Sequence, residues 1–138
     1  CQSSAASDVY KRQLYDPPKI MFYLFIGVGA FLGAIARYFL STFFIKAVFL
    51  GFPLGTFFVN VLGCYLIGVL SAIHISNKEF ATPFLAIGFL GSFTTFSAFT
   101  KEILFFSNSN GMLIAFFTAF IISFACIFST IIGFKMFS

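Results

Sequence analysis

From Ile20 onward the chain is laid out as four long apolar runs separated by short polar links. The runs extend from about Ile20 to Ile45, Pro53 to Ile75, Pro83 to Phe106 and Met112 to Phe134. Each exceeds the ~20 residues that a helix needs to cross a bilayer. The links, Lys46 to Phe52, Ser76 to Thr82 and Ser107 to Gly111, are short enough to make successive helices antiparallel neighbours. Pro53 and Pro83 stand where a first helical residue would stand, which suits a residue without an N–H. Asn108-Ser109-Asn110-Gly111 is turn chemistry. The pattern predicts an all-α membrane protein with four transmembrane helices.

The third run differs from the others. Between Gly88 and Thr100 it carries Gly88, Gly91 and Ser92, which are poor helix formers, and the hydroxyls of Thr94, Thr95, Ser97 and Thr100. Such hydroxyls bond to nearby backbone instead of continuing a helical ladder. Irregular backbone at membrane depth survives only where protein or a wet cavity satisfies it. The third helix is therefore expected to be broken near mid-membrane, at Gly91 to Thr94, and the freed carbonyls there suit a monovalent cation. Past the break, Phe96 and Phe99 are three residues apart and share a helical face.

Composition agrees with the membrane reading. Of 138 residues, 60% are hydrophobic and only 9% charged, against about 25% in a soluble domain. The net charge of +4 is scattered, with no basic cluster longer than Lys11-Arg12, so nucleic acid is not an expected partner. Cys1, Cys64 and Cys126 make no metal-ligand spacing, and the last two read as small packing residues in apolar runs. Residues 1–20 stand apart: they are polar, end in Pro17-Pro18, lack the apolar centre of a secretory signal, and resemble a translated sequencing adapter. The expectation is a non-native or disordered leader ahead of a natural start at Met21, with residues 21–138 as the four-helix transmembrane domain.

Positive charge barely sets the orientation. Beyond residue 20, the side shared by the two termini holds Lys78 and Lys135, while the other holds Lys46, Lys101 and the end of the first helix with Arg37. A chain with so little bias is compatible with insertion in both orientations and with head-to-tail pairing of two copies. Gly29 and Gly33 form a GxxxG, and Ala115 and Ala119 a small-xxx-small pair, both suited to close helix contact in lipid. Four helices leave little room for a pore within one copy, so an oligomer is expected.

Polar groups inside the membrane are the functional candidates. No Asp or Glu is expected inside the runs: Glu79 falls in a link, and Glu102 beside Lys101 at the end of the third. His74, at the end of the second run, reads as solvated, and no nucleophile–base pair or metal cluster points to an enzyme. Arg37 lies ~24 Å along a helix from Met21, which makes it an interfacial anchor or a vestibule charge that concentrates anions. Asn60 lies roughly 10 Å inside the second helix and shares a face with Thr56 and Gly63. Its amide either bonds across helices or offers an N–H to an anion. Phenyl rings carry a positive edge, so Phe96 and Phe99 presented edge-on can solvate a small anion without a cation that would trap it.

Three motifs together resemble the Fluc/CrcB fluoride channels. They are Gly29-x-x-x-Gly33-x-x-x-Arg37-Tyr38, then Gly55-Thr56-x-x-Val59-Asn60-x-x-Gly63, then Gly88-Phe89-x-Gly91-x-x-Thr94-Thr95-Phe96-Ser97-x-Phe99. The resemblance covers Met21 to about Lys135. It implies a multi-pass protein of the cell inner (plasma) membrane, an antiparallel dual-topology homodimer that exports fluoride passively. It also implies that Phe96 and Phe99 form the pore-lining phenylalanine box, that Asn60 is the pore asparagine, and that Arg37 is the vestibule arginine. By the same resemblance, Thr95 and Ser97 add hydroxyl contacts, and the main-chain carbonyls of Gly91 and Thr94 from two copies hold a structural sodium. Thr118 or Ser123 would line the path from the fourth helix. Cys64-Tyr65 stand where a small hydroxyl and Phe are frequent in the family, and Ala98 stands where Thr is frequent. A small dual-topology multidrug-type exchanger, a non-transporting scaffold subunit and a pair of divergent subunits are the rival readings. The exchanger requires an embedded carboxylate.

Overall fold

A computed structural model describes residues 20–45, 54–73 and 78–138. The leader, Lys46, Pro53 and His74 lie outside the described residues. Four stretches are long and apolar enough to cross a membrane: Ile20–Phe44, Leu54–Ala72, Thr82–Asn110 and Met112–Phe137. Helix α1 spans Ile20–Ile45 and α2 spans Leu54–Ala72. The third stretch is composite: a short α3 at Lys78–Ala81, a π-helical turn sequence at Thr82–Leu90, a brief α4 at Gly91–Phe93, and α5 at Phe96–Asn110. Helix α6 spans Met112–Phe137.

Two expected links are shorter than the polarity of their residues suggested. Lys78 to Ala81 are already helical, so Pro83 enters an ongoing helix instead of starting one. At the other end α5 runs through Asn108, Ser109 and Asn110, and only Gly111 breaks the backbone. There the amide of Asn110 donates to Phe106 O at 3.2 Å and Ser107 Oγ donates to Leu104 O at 2.7 Å, so these polar side chains reinforce the last turn. Gly111 has φ 89°, a conformation that side chains disfavour, and it reverses the chain in one residue. As a result Lys101 and Glu102 sit within α5, well before its end.

The helices meet as the small residues predict. A Cβ added at Gly29 would collide with the carbonyl of Phe84, and one at Gly33 with the carbonyl of Phe89. This lets α1 lie directly on the π-helical stretch. Helix α2 packs on α6, where Ala115 and Ile122 are each only 2% exposed. The core is Val59, Leu90 and Phe93, wrapped by Ala36, Leu40, Leu66, Ile67, Leu70 and Phe89. Most large apolar side chains outside it are exposed, including Phe116, Phe120 and Phe124 on α6. That is the surface of a chain whose solvent is lipid.

Candidate functional site

The helical backbone gives way at two residues. Thr94 (φ −78°, ψ 147°) and Thr95 (φ −148°, ψ 124°) are extended between α4 and α5. The winding upstream is also irregular, since the Gly91 N–H reaches back to both Ala86 O and Gly88 O. Extended residues inside an apolar stretch must find substitute hydrogen bonds. Asn60 supplies them. Its Oδ1 accepts from the Thr95 N–H at 2.8 Å, and its Nδ2 donates to Thr95 O at 3.1 Å. The amide replaces two rungs of helical ladder with one side chain, and Asn60 is itself only 9% exposed. Thr95 also caps α5, its hydroxyl accepting from Ala98 N–H at 3.4 Å and lying 3.1 Å from Ser97 Oγ.

These substitutions release carbonyls. In a continuous helix the Thr95 N–H would bond to Gly91 O and the Ala98 N–H to Thr94 O. Here the first goes to Asn60 and the second to the Thr95 hydroxyl. The Thr94 hydroxyl donates to Leu90 O at 2.9 Å, leaving its own carbonyl clear of that contact. The methyl of Thr94 lies against Gly63, where no Cβ would fit. The face of Thr56, Asn60 and Gly63 is buried throughout.

Asn60, Thr94, Thr95, Phe96 and Phe99 all line one open cavity of about 290 Å³, together with Cys64, Ile122, Ser123, Cys126 and Ile127. The two rings are 5.7 Å apart at 49°. Phe99 is 5% exposed and Phe96 74% exposed. A neighbouring cavity of about 260 Å³ shares Phe96, Phe99 and Ser123 with the first. Ser123 therefore reaches this region from α6, whereas Thr118 lines none of these cavities. Ser97 lines none either, and meets the site through Thr95.

Arg37 lines a separate cavity of about 220 Å³ with Tyr38, Ser41, Thr56, Val59, Thr95, Ala98 and Glu102. Thr95 is common to this cavity and the one holding the phenylalanines. Glu102 is the residue that sequence reasoning missed. It was expected at the end of the third run, outside the apolar interior, but α5 continues for two further turns and carries it inward. Thr56 Oγ1 donates to Glu102 Oε1 at 2.6 Å, and Glu102 Oε2 is buried without a hydrogen-bond partner. The signal was present in the spacing: Thr95, Phe99 and Glu102 fall at i, i+4 and i+7 on one helical face. Cys64 and Cys126, expected as small packing residues, line the phenylalanine cavity.

The sequence profile described as CrcB-like protein, Camphor Resistance (CrcB), matches residues 24–134, which holds every residue of the site. The chain belongs to the CrcB family. Among curated relatives, a Campylobacter lari protein named fluoride-specific ion channel FluC is 37% identical over 120 residues, 83% of this chain and 95% of the relative. A Shewanella pealeana protein of the same name is 36% identical over 113 residues, 80% of this chain and 90% of the relative. A third, from Ruminiclostridium cellulolyticum, is 46% identical over 81 residues, 56% of this chain and 62% of the relative. Within the CrcB family frame, the described helices make this a multi-pass membrane protein.

Proposed function

We propose that the chain is a fluoride-selective channel that lets fluoride leave the cell passively, across the inner (plasma) membrane, and so relieves fluoride toxicity. The naming of its CrcB relatives supports this, but the observation that carries it is local. A buried phenylalanine, an exposed one and the Asn60 amide face one cavity beside an interrupted helix. The amide has a second N–H beyond the one given to Thr95 O, and the phenyl edges add weak positive potential. Such walls replace part of the water shell of a small hard anion without holding it tightly, as conduction requires. Arg37 gathers anions in the adjoining cavity, and the Thr95 hydroxyl lies where the cavities meet.

The working unit is an antiparallel, dual-topology homodimer. Phe96 is 74% exposed on one copy, an unfavourable place for a pore-lining ring unless a second copy covers it. A structural sodium at the dimer centre fits the donor chemistry: the Gly91 and Thr94 carbonyls have lost their helical donors, and they are neutral oxygens suited to an alkali cation. One copy offers two such oxygens, and an inverted second copy supplies the matching two. When bound, the cation would neutralise converging carbonyl dipoles and hold the two breaks together.

Proteoliposomes loaded with fluoride or chloride test the function, with efflux followed by an ion electrode. Fluoride should leave rapidly and chloride should stay; equal efflux of both would sink the reading. Replacing sodium with N-methylglucamine on both sides should lower fluoride efflux and loosen the dimer in a cross-linking assay.

One observation favours the exchanger reading, namely the embedded carboxylate of Glu102. A multidrug-type exchanger couples drug flux to protons, so a transmembrane pH gradient would drive a drug-like organic cation uphill. The channel reading expects no such movement.

A further inference from the structure

The fluoride path described above has no use for a thiol, yet two thiols stand in its wall. Cys64 lies one turn beyond Asn60 on α2, and Cys126 lies one turn beyond Ile122 on α6. Both are free and half-buried, and both line the cavity of about 290 Å³. They approach the cavity from two helices that pack directly on each other. The helices that carry them are locked in register. Ser129 Oγ donates to Val61 O at 2.9 Å, the Tyr65 hydroxyl reaches Met136 Sδ at 3.4 Å, and added Cβ atoms at Gly68 and Gly133 would strike backbone carbonyls of the opposite helix. The fold therefore keeps both thiols in the wall of one cavity.

We propose that Cys64 and Cys126 form a two-sulfur site for a soft divalent cation of the mercuric class, and that filling it ties α2 to α6 and blocks the cavity beside Asn60. Thiolate sulfur selects soft metals. Zinc is a poor match, since it wants four ligands and no group of three or more metal-binding side chains exists among the described residues. A linear sulfur–metal–sulfur bridge asks for only two. Such a bridge inserts the metal between two separated sulfurs, whereas a disulfide needs them about 2 Å apart. Charge also favours a divalent ion: two thiolates and one dication are neutral together, which avoids leaving net charge in an apolar wall. Each thiol gives its proton to water and each sulfur forms one bond to the metal, so no oxidant is needed.

Binding at this site does not depend on what the cavity conducts. The block rests on the fluoride-channel reading. The two are separated by measuring both. The full chain with Cys1→Ser, which removes the remaining thiol, is titrated with mercuric chloride in detergent while mercury–thiolate absorption and proton release are followed. Absorption should saturate at one ion per chain with release of two protons. In proteoliposomes the same ion should cut fluoride efflux about tenfold, and a dithiol chelator should restore it. Cys64→Ser or Cys126→Ser should each raise the mercuric concentration needed by roughly a hundredfold. Undiminished block in the Cys64→Ser/Cys126→Ser double variant, or saturation without proton release in the parent, would overturn the proposal. Saturable binding in a protein that passes no fluoride would leave this site standing and remove the channel reading instead.

Discussion

Asn60 holds Thr95 by both of its backbone groups: one amide side chain on α2 accepts from the N–H of Thr95 and donates to its carbonyl. The pairing converts a break in a membrane helix from a liability into a fixed feature. Without it, two backbone groups in the interior of an apolar chain would have no partner. Leaving such groups unsatisfied costs about 1–3 kcal/mol each.

Asn60→Leu should therefore harm the protein twice, through lost backbone support and a lost anion donor. Its thermal midpoint in detergent should fall, consistent with a loss of about 2–4 kcal/mol, and fluoride efflux should be abolished. Asn60→Asp keeps an acceptor for the Thr95 N–H but removes the donor and adds negative charge. It should hold more stability than the leucine variant and still fail to conduct. If Asn60→Asp conducts normally, the side chain serves the backbone alone.

Phe96 and Phe99 differ in burial, and their variants should differ accordingly. Phe99→Ile trims a buried ring, which typically costs 1–3 kcal/mol, and should reduce both stability and flux. Phe96→Ile alters a ring that is mostly exposed in one copy, so flux should fall with little change in monomer stability. Efflux and a melting curve on the same preparations read both effects. Unchanged flux in the two variants would mean that the rings only pack.

Glu102→Gln tests the carboxylate facing the Arg37 cavity. The Thr56 hydroxyl keeps its acceptor, while the buried unpartnered oxygen is replaced by a neutral donor. Taking this acidic side chain out of the Arg37 cavity should raise the apparent affinity for fluoride by on the order of tenfold, read from the concentration dependence of efflux. An unchanged affinity would show that Glu102 does not act on the anion in this cavity.

Gly33 and Gly27 form a matched pair of controls. An added Cβ at Gly33 would strike the Phe89 carbonyl, while at Gly27 it would meet nothing within 4 Å. Gly33→Ala should cost about 1–3 kcal/mol by forcing α1 off the π-helical stretch, and Gly27→Ala should be neutral or slightly stabilising. Equal melting curves would show that α1 has room to move.

The four spans, the glycine contacts of α1 and the unusual chemistry of Gly88 to Thr100 were legible in the sequence, because each depends on local composition and period. What joined them was not. Asn60 stood out as a buried amide and Thr95 as a hydroxyl in a weak helix, but their mutual bonds link residues 35 apart in the chain. Glu102 was placed too close to a helix end because Ser107 to Gly111 reads as a link, while the side chains of Ser107 and Asn110 in fact support a helix that runs to Asn110. The wider winding of Thr82–Leu90 is not announced by Pro83 and Gly88, which mark a weak helix without fixing its pitch.

Thr95 alone belongs to both the cavity that carries Arg37 and Glu102 and the cavity walled by phenyl rings and thiols. Any conduit running past it is unlike at its two ends, ionic on one and greasy on the other, and a conduit of that kind passes current more easily in one direction. Set two copies upside down beside each other and the preferences oppose. In the inverted pair proposed above, the membrane would then record a current symmetric in voltage, built from two rectifiers facing opposite ways.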